Sequence, residues 1–224
     1  CRATTHSDLA TLIDPIISTY YCPKHFKICK PLFTITEKWT RYSTDTLRRL
    51  IYFSKIRTNT YQLCITGDSR NINLLDKLET TSPNLYQLVS RQKIRGIFSS
   101  PPYVGLIDYH EQHAYAYELF KFNRNDNLEI GPLFLGRGRD ARESYVKGIV
   151  TVLKNCKSYL DDNYDVLLVA NDKYSLYPQI VEMSGMEIVN EFKRPVLNRS
   201  ERDKSAYSET IFHIKDKNNA HSNR

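Results

Sequence analysis

Between residues 61 and 184 the chain alternates short apolar runs with helical stretches, and few architectures accommodate that order. Tyr61-Gln-Leu-Cys-Ile-Thr66 reads as a short strand ending in Gly67-Asp68-Ser69-Arg70. Residues 71–90 are helical in pattern, interrupted by Pro83. Ile94-Arg-Gly-Ile-Phe98 is a second strand running into Ser99-Ser100-Pro101-Pro102-Tyr103. Asp108-Tyr-His-Glu111 has the spacing of a capping box and opens a helix to about Phe122. The loop Gly136-Arg-Gly-Arg139 precedes a helix over roughly 140–160, and Asp165 to Ala170 is a third strand. A helix near 176–184 and two strands, Glu187 to Phe192 and Glu209 to Ile214, complete the pattern. This order predicts an α/β sheet with helices on both faces. The polar tail 215–224 is expected to fray.

At 224 residues there is room for one full domain and a smaller attachment, with a core that needs no disulfides. No run approaches the roughly 18 apolar residues of a membrane span, so no membrane partner is expected. With 41% hydrophobic and 25% charged residues, neither a collagen-like fibre nor wholesale disorder fits. The net charge of +7 is uneven. Residues 1–60 carry +6 and residues 193–204 carry +3, leaving the rest at −2. Two basic segments around a near-neutral middle predict two polyanion-contacting surfaces. Five cysteines without a leader of signal-peptide type predict reduced thiols and a cytoplasmic setting. Cys1 in place of Met suggests a processed or truncated start.

Residues 1–60 form the basic attachment. Leu47, Leu50, Ile51, Phe53 and Ile56 recur near helical spacing, predicting a helix over Thr44 to Ile56 capped by Asp45 or Thr44. Arg48 on this helix is a candidate DNA contact; a solvated basic face is the alternative. Cys22-x2-His25-x3-Cys29 has zinc-ligand types at close spacing, and Cys1 and His6 would complete a set of four. Reduced structural cysteines are the other reading.

The chemistry concentrates at residues 99–103. Ligands of open α/β sheets sit at the carboxyl ends of the strands. Two consecutive prolines cannot donate hydrogen bonds, so the strand must stop there. Ser100 and the Pro101 carbonyl then offer two acceptors, and Tyr103 offers a flat face. Such a site suits a planar ring bearing an exocyclic amino group.

Ser100-Pro-Pro-Tyr103 after a strand resembles the catalytic motif of the amino-methylating DNA methyltransferases, which act on N4 of cytosine or N6 of adenine. The longer run from Ile97 to His113 resembles one bacterial branch of that family. Gly67-Asp68 resembles the segment upstream of the motif, and Asn171-Asp172 falls at the family's next strand end. The resemblance covers roughly residues 61–214. It implies a Rossmann-like, S-adenosylmethionine-dependent sheet and a double-stranded DNA substrate whose target base is flipped out. Tyr103 would stack on that base, while Ser100 and the Pro101 carbonyl would hold its amino group, with Pro102 shaping the turn. Serine at position 100 leans toward N4-cytosine; an RNA or protein N-methyltransferase, and a non-catalytic DNA-binding fragment of a split or truncated methyltransferase, are the alternative readings. A cytosine-C5 enzyme would need a Pro-Cys pair, and the sequence contains none.

The same resemblance implies Asp68 and Ser99 in the cofactor pocket, with helix capping the other role open to Asp68. It also implies a nucleoid-associated enzyme of a restriction–modification system, with a cognate restriction endonuclease as partner. The family's Phe-x-Gly-x-Gly-like cofactor loop is missing, so the sheet is expected to be incomplete and the chain to be a carboxyl-terminal portion. Arg137 and Arg139 suit phosphate or solvent. Arg199 and Arg202, in the basic run Lys193 to Lys204, are further candidate phosphate contacts. His110 and His113, at i, i+3, are expected to pack or to meet DNA rather than to bind metal.

Overall fold

The computed structural model describes residues 20–22, 26–29, 35–195 and 208–217. Their elements are strands β1 (Tyr20–Cys22) and β2 (Lys27–Cys29), then helices α1 (Ile35–Ile56), α2 (Leu74–Thr81) and α3 (Pro83–Gln92). Strand β3 (Ile94–Ser99) follows, then helices α4 (Tyr109–Gln112), α5 (Ala114–Phe120) and α6 (Arg139–Lys157). Strand β4 (Leu160–Ala170), helix α7 (Tyr177–Met183) and strands β5 (Met186–Pro195) and β6 (Ser208–Asp216) complete the order. The chain divides into two units, residues 1–62 with 110–124, and residues 63–109 with 125–224.

In the first unit β1 and β2 form an antiparallel pair in which Tyr20 faces Cys29 and Cys22 faces Lys27. Helix α1 starts nine residues before the predicted Thr44, because nothing between Ile35 and Ile56 is Gly or Pro. Thr44 and Asp45 therefore lie inside the helix and cannot cap it. Asp45 pairs instead with Arg49 at 2.9 Å and Arg48 at 4.0 Å, one helical turn on.

The second unit is built on a four-stranded sheet in the order β3-β4-β6-β5. β3 runs parallel to β4, and β6 is antiparallel to both β4 and β5. Strands β3, β4 and β5 are therefore mutually parallel and step across the sheet in one direction. Crossovers of one hand stepping one way place their helices on the same face. The core shows this arrangement. Tyr145, Val146, Ile149, Val150 and Leu153 of α6 and Tyr177, Ile180 and Val181 of α7 bury against Val166, Leu168, Ala170, Phe212 and Ile214. Val166, Ile180 and Ile214 are wholly buried, each worth about 1.5–3 kcal/mol relative to exposure. The opposite face leaves Phe98 at 77% and Phe192 at 53% exposure. Helices α6 and α7 therefore share one face of the sheet.

The predicted strand over 61–66 is corrected. These residues have no regular structure, and the described sheet ends at β3. A short apolar run becomes a strand only when a neighbouring backbone accepts its hydrogen bonds. The helix expected from Asp108 to Phe122 is broken into α4 and α5 at His113. Asp108 does not complete the capping box; its Oδ1 accepts from the Phe134 amide at 2.9 Å. No helix among the described residues is long and apolar enough to cross a membrane.

Candidate active site

Strand β3 ends at Ser99, opposite Leu168 of β4, and the two prolines carry the chain off the sheet's carboxyl edge. Ser100 is exposed, while Pro101, Pro102 and Tyr103 are half-buried. The sheet therefore ends where the sequence says it must, and Ser100 faces outward.

Beyond Ser100 the loop is held at several points. The Pro102 carbonyl accepts from the Tyr145 hydroxyl at 2.9 Å. The Tyr145 and Tyr177 hydroxyls are 3.0 Å apart. Since Tyr145 has one hydroxyl proton and gives it to Pro102, Tyr177 must be the donor to Tyr145. Burial pushes the Tyr145 phenol up to about 12, and burial raises Tyr177 as well, so both remain donors at neutral pH. Tyr177 is held in turn by Asp172, whose carboxylate accepts from the Leu176 and Tyr177 amides at 2.7 and 3.1 Å. Asp172 thus satisfies two backbone amides at the start of α7.

Tyr103 packs against the core and donates its hydroxyl to Glu209 Oε1 at 2.8 Å. Glu209 Oε2 accepts from Arg194 at 2.6 Å. Past the tyrosine the chain turns at Gly105, whose amide donates to the Gly131 carbonyl at 2.9 Å. Both glycines have positive φ, 63° and 67°. A Cβ on Gly105 would sit 2.5 Å from the Gly136 carbonyl oxygen, and one on Gly131 would sit 2.6 Å from the Tyr145 ring. Arg137 closes the arrangement by donating Nε to the Gly105 carbonyl at 2.9 Å. Together these contacts tie the turn down at Pro102, Tyr103 and Gly105 and leave Ser100 exposed.

The other predicted residues are placed unevenly. Asp68 lies in the turn ahead of α2. Its carboxylate grips Arg70 in two-pronged fashion, Oδ2 to Nη2 at 2.6 Å and Oδ1 to Nε at 2.9 Å. The Arg70 hydrogen bond holds the Asp68 carboxyl below its ordinary range. The turn that Asp68 opens is anchored to Asn155, which donates to the Ser69 and Ile72 carbonyls. Asn155 lies ten residues along α6 from Tyr145, or about 15 Å. The cap of α2 is Asn73, so Asp68 does not serve as one.

Ser99 is the last, half-buried residue of β3. Arg137 is a strut beneath the turn, while Arg139 is exposed and paired with Glu143 at 2.8 Å. Arg48 is exposed on α1. Arg199, Arg202, Cys1, His6 and His25 lie outside the described residues, as do the side chains of Cys22 and Cys29. Among the described residues no group of three His, Cys, Asp or Glu is placed to hold a metal. His110 packs edge-on against Tyr117 with ring centres 5.0 Å apart and hydrogen-bonds its hydroxyl. His113 meets Tyr115 edge-on.

Sequence reasoning missed Tyr145, Tyr177 and Glu209. Tyr145 lies within an ordinary amphipathic helix and Glu209 opens an ordinary strand, so neither carries a local signal.

No protein-family model matches the chain. Over 214 residues, 96% of the chain, it is 52% identical to the Type II methyltransferase M.MjaII of Methanocaldococcus jannaschii. The chain is similar to a methyltransferase. It spans 40% of the length of M.MjaII, so it corresponds to less than half of that protein.

Proposed function

We propose that this chain supplies the base-binding motif of a site-specific DNA amino-methyltransferase. The reaction is methyl transfer from S-adenosylmethionine to N4 of cytosine, with N6 of adenine the alternative target. The observation that carries this reading is the Ser100-Pro-Pro-Tyr103 turn. It is tied down at Pro102 and Tyr103, and it leaves Ser100 exposed at the sheet's carboxyl edge. The 52% identity to a Type II methyltransferase supports it independently.

The chain's own part in the proposed reaction concerns the base. An extruded cytosine stacks on Tyr103. Ser100 Oγ and the Pro101 carbonyl accept the two amino hydrogens and turn the nitrogen lone pair outward. Because the turn is fixed beforehand, this alignment costs little at the moment of reaction. Arg48, Arg137 and Arg139, all exposed, are proposed phosphate contacts, as are Arg199 and Arg202. The partner that completes the enzyme is the part of a methyltransferase that corresponds to the remainder of M.MjaII.

The test supplies the chain with the part of M.MjaII that it does not match, and measures tritiated methyl transfer to duplex DNA, RNA and protein. Label is expected in DNA. Stacking of a base on an aromatic is worth about 1–3 kcal/mol, so Tyr103→Ala should lower the rate roughly 5- to 150-fold. Absence of label in DNA, or a Tyr103→Ala rate equal to wild type, overturns the reading.

A further inference from the structure

Tyr103 and Glu209 are 106 residues apart in sequence and lie on elements separated by β4, yet they share a 2.8 Å hydrogen bond. The Glu209 side chain is 13% exposed. Its second oxygen is taken by Arg194, which stands directly opposite it in the β5–β6 ladder. Both carboxylate oxygens are thus committed, one to a cation on a sheet strand and one to the phenol. A hydrogen bond to an ionised acceptor is about twice as strong as a neutral one. A tyrosine ring has two torsions, and rotation about Cα–Cβ swings the whole ring. The hydroxyl lies at the far end of the ring axis, so holding it stops that swing and fixes where the ring stands.

Resting on the reading of Tyr103 as the stacking residue, we propose that Glu209, held in place by Arg194, is a positioning residue that fixes where the Tyr103 ring stands. The phenol hydroxyl is then not part of the chemistry. It is a tether, and the sheet strand β6 determines how the flipped base lies.

The test uses the same two-part methyltransferase with Tyr103→Phe, Glu209→Ala, Glu209→Gln, Tyr103→Ala and the Tyr103→Phe/Glu209→Ala pair. Readouts are kcat, KM for duplex DNA, the melting temperature, and the fluorescence of 2-aminopurine at the target position, which reports stacking. Tyr103→Phe keeps the ring and removes only the tether. It should lower kcat about tenfold, leave KM for DNA within about twofold, and raise the 2-aminopurine signal, as expected for one lost charge-assisted bond. Glu209→Ala should do the same, and the pair should be no worse than either alone. Glu209→Gln, which keeps an acceptor oxygen, should recover to within about threefold of wild type.

Wild-type kcat in Tyr103→Phe and Glu209→Ala, with Tyr103→Ala inactive, overturns the tether while leaving the stacking role intact. Losses that multiply in the double variant also overturn it. A Glu209→Ala loss accompanied by a large fall in melting temperature, with Tyr103→Phe unaffected, does so too. Wild-type activity in Tyr103→Ala instead removes the stacking reading on which the tether depends.

Discussion

Replacing Tyr145 with phenylalanine should destabilise the second unit far more than the same change at Tyr177. Both hydroxyls are buried, each residue being 2% exposed. Tyr145 sits in the middle of a chain of hydrogen bonds, donating to the Pro102 carbonyl and accepting from Tyr177. Tyr145→Phe removes both bonds and leaves a buried donor and a half-buried carbonyl unpaired, a cost of about 3 kcal/mol. Tyr177→Phe leaves the Tyr145–Pro102 bond in place and costs about 1 kcal/mol. The double variant removes the orphaned Tyr177 donor and should fall between the two, near about 2 kcal/mol. For a chain of this size these figures correspond to falls in melting temperature of roughly 6–12 °C and 2–4 °C for the single changes.

Urea unfolding followed by far-ultraviolet circular dichroism measures all three variants, with an unchanged slope showing that only stability has moved. Burial holds the Tyr145 phenol up at about 12, above its ordinary value near 10. Its contribution is therefore complete below about pH 10 and is lost as pH rises toward 12. Equal losses at the two positions, or a larger one at Tyr177, refute the direction assigned to the hydroxyl chain.

The remaining predictions concern other parts of the molecule. Asp68 titrates below its ordinary range because Arg70 favours its charged form, so this pair stabilises above the unfolded carboxyl value near 3.9 and is lost as pH falls through the lower folded value. Asp68→Asn should lower stability by about 1 kcal/mol at pH 7 and by progressively less as pH falls through the folded value, read from urea midpoints. It should leave methyl transfer unchanged, since the turn lies far along α6 from Pro102. Gly105→Ala should cost more than about 2 kcal/mol, through positive φ and the clash with the Gly136 carbonyl, and should slow methyl transfer by displacing Tyr103. Arg48→Ala should lower duplex affinity equally across sequences and reduce the slope of log K against log salt by about 1.

What the sequence revealed and what it hid divide along the range of the interactions. Pro101 and Pro102 mark the end of β3 because their effect on backbone bonding is local. The helix over roughly 140–160 and the strand from Asp165 to Ala170 were legible for the same reason: their patterns are written in neighbouring residues. Tyr61 to Thr66 has an apolar pattern but no ladder partner, and one segment's pattern does not say whether another will pair with it. Two helices on one face follow from strand order, which only the pairing of β6 between β4 and β5 discloses. The contacts that stiffen the candidate site span 43 residues, Tyr145 to Pro102, and 106 residues, Glu209 to Tyr103, and nothing local marks either end. The motif was therefore legible while its supports were not.

The central claim is that the Ser100-Pro-Pro-Tyr103 turn presents an exocyclic amino group for methylation. Nucleoside digestion and mass spectrometry of duplex DNA, after incubation with the chain and its complementing methyltransferase part, tests that claim directly. N4-methylcytosine is expected, with N6-methyladenine the alternative amine product, and that product should be lost with Tyr103→Ala. Recovery of 5-methylcytosine, or of methylated DNA that persists in the Tyr103→Ala variant, would contradict it.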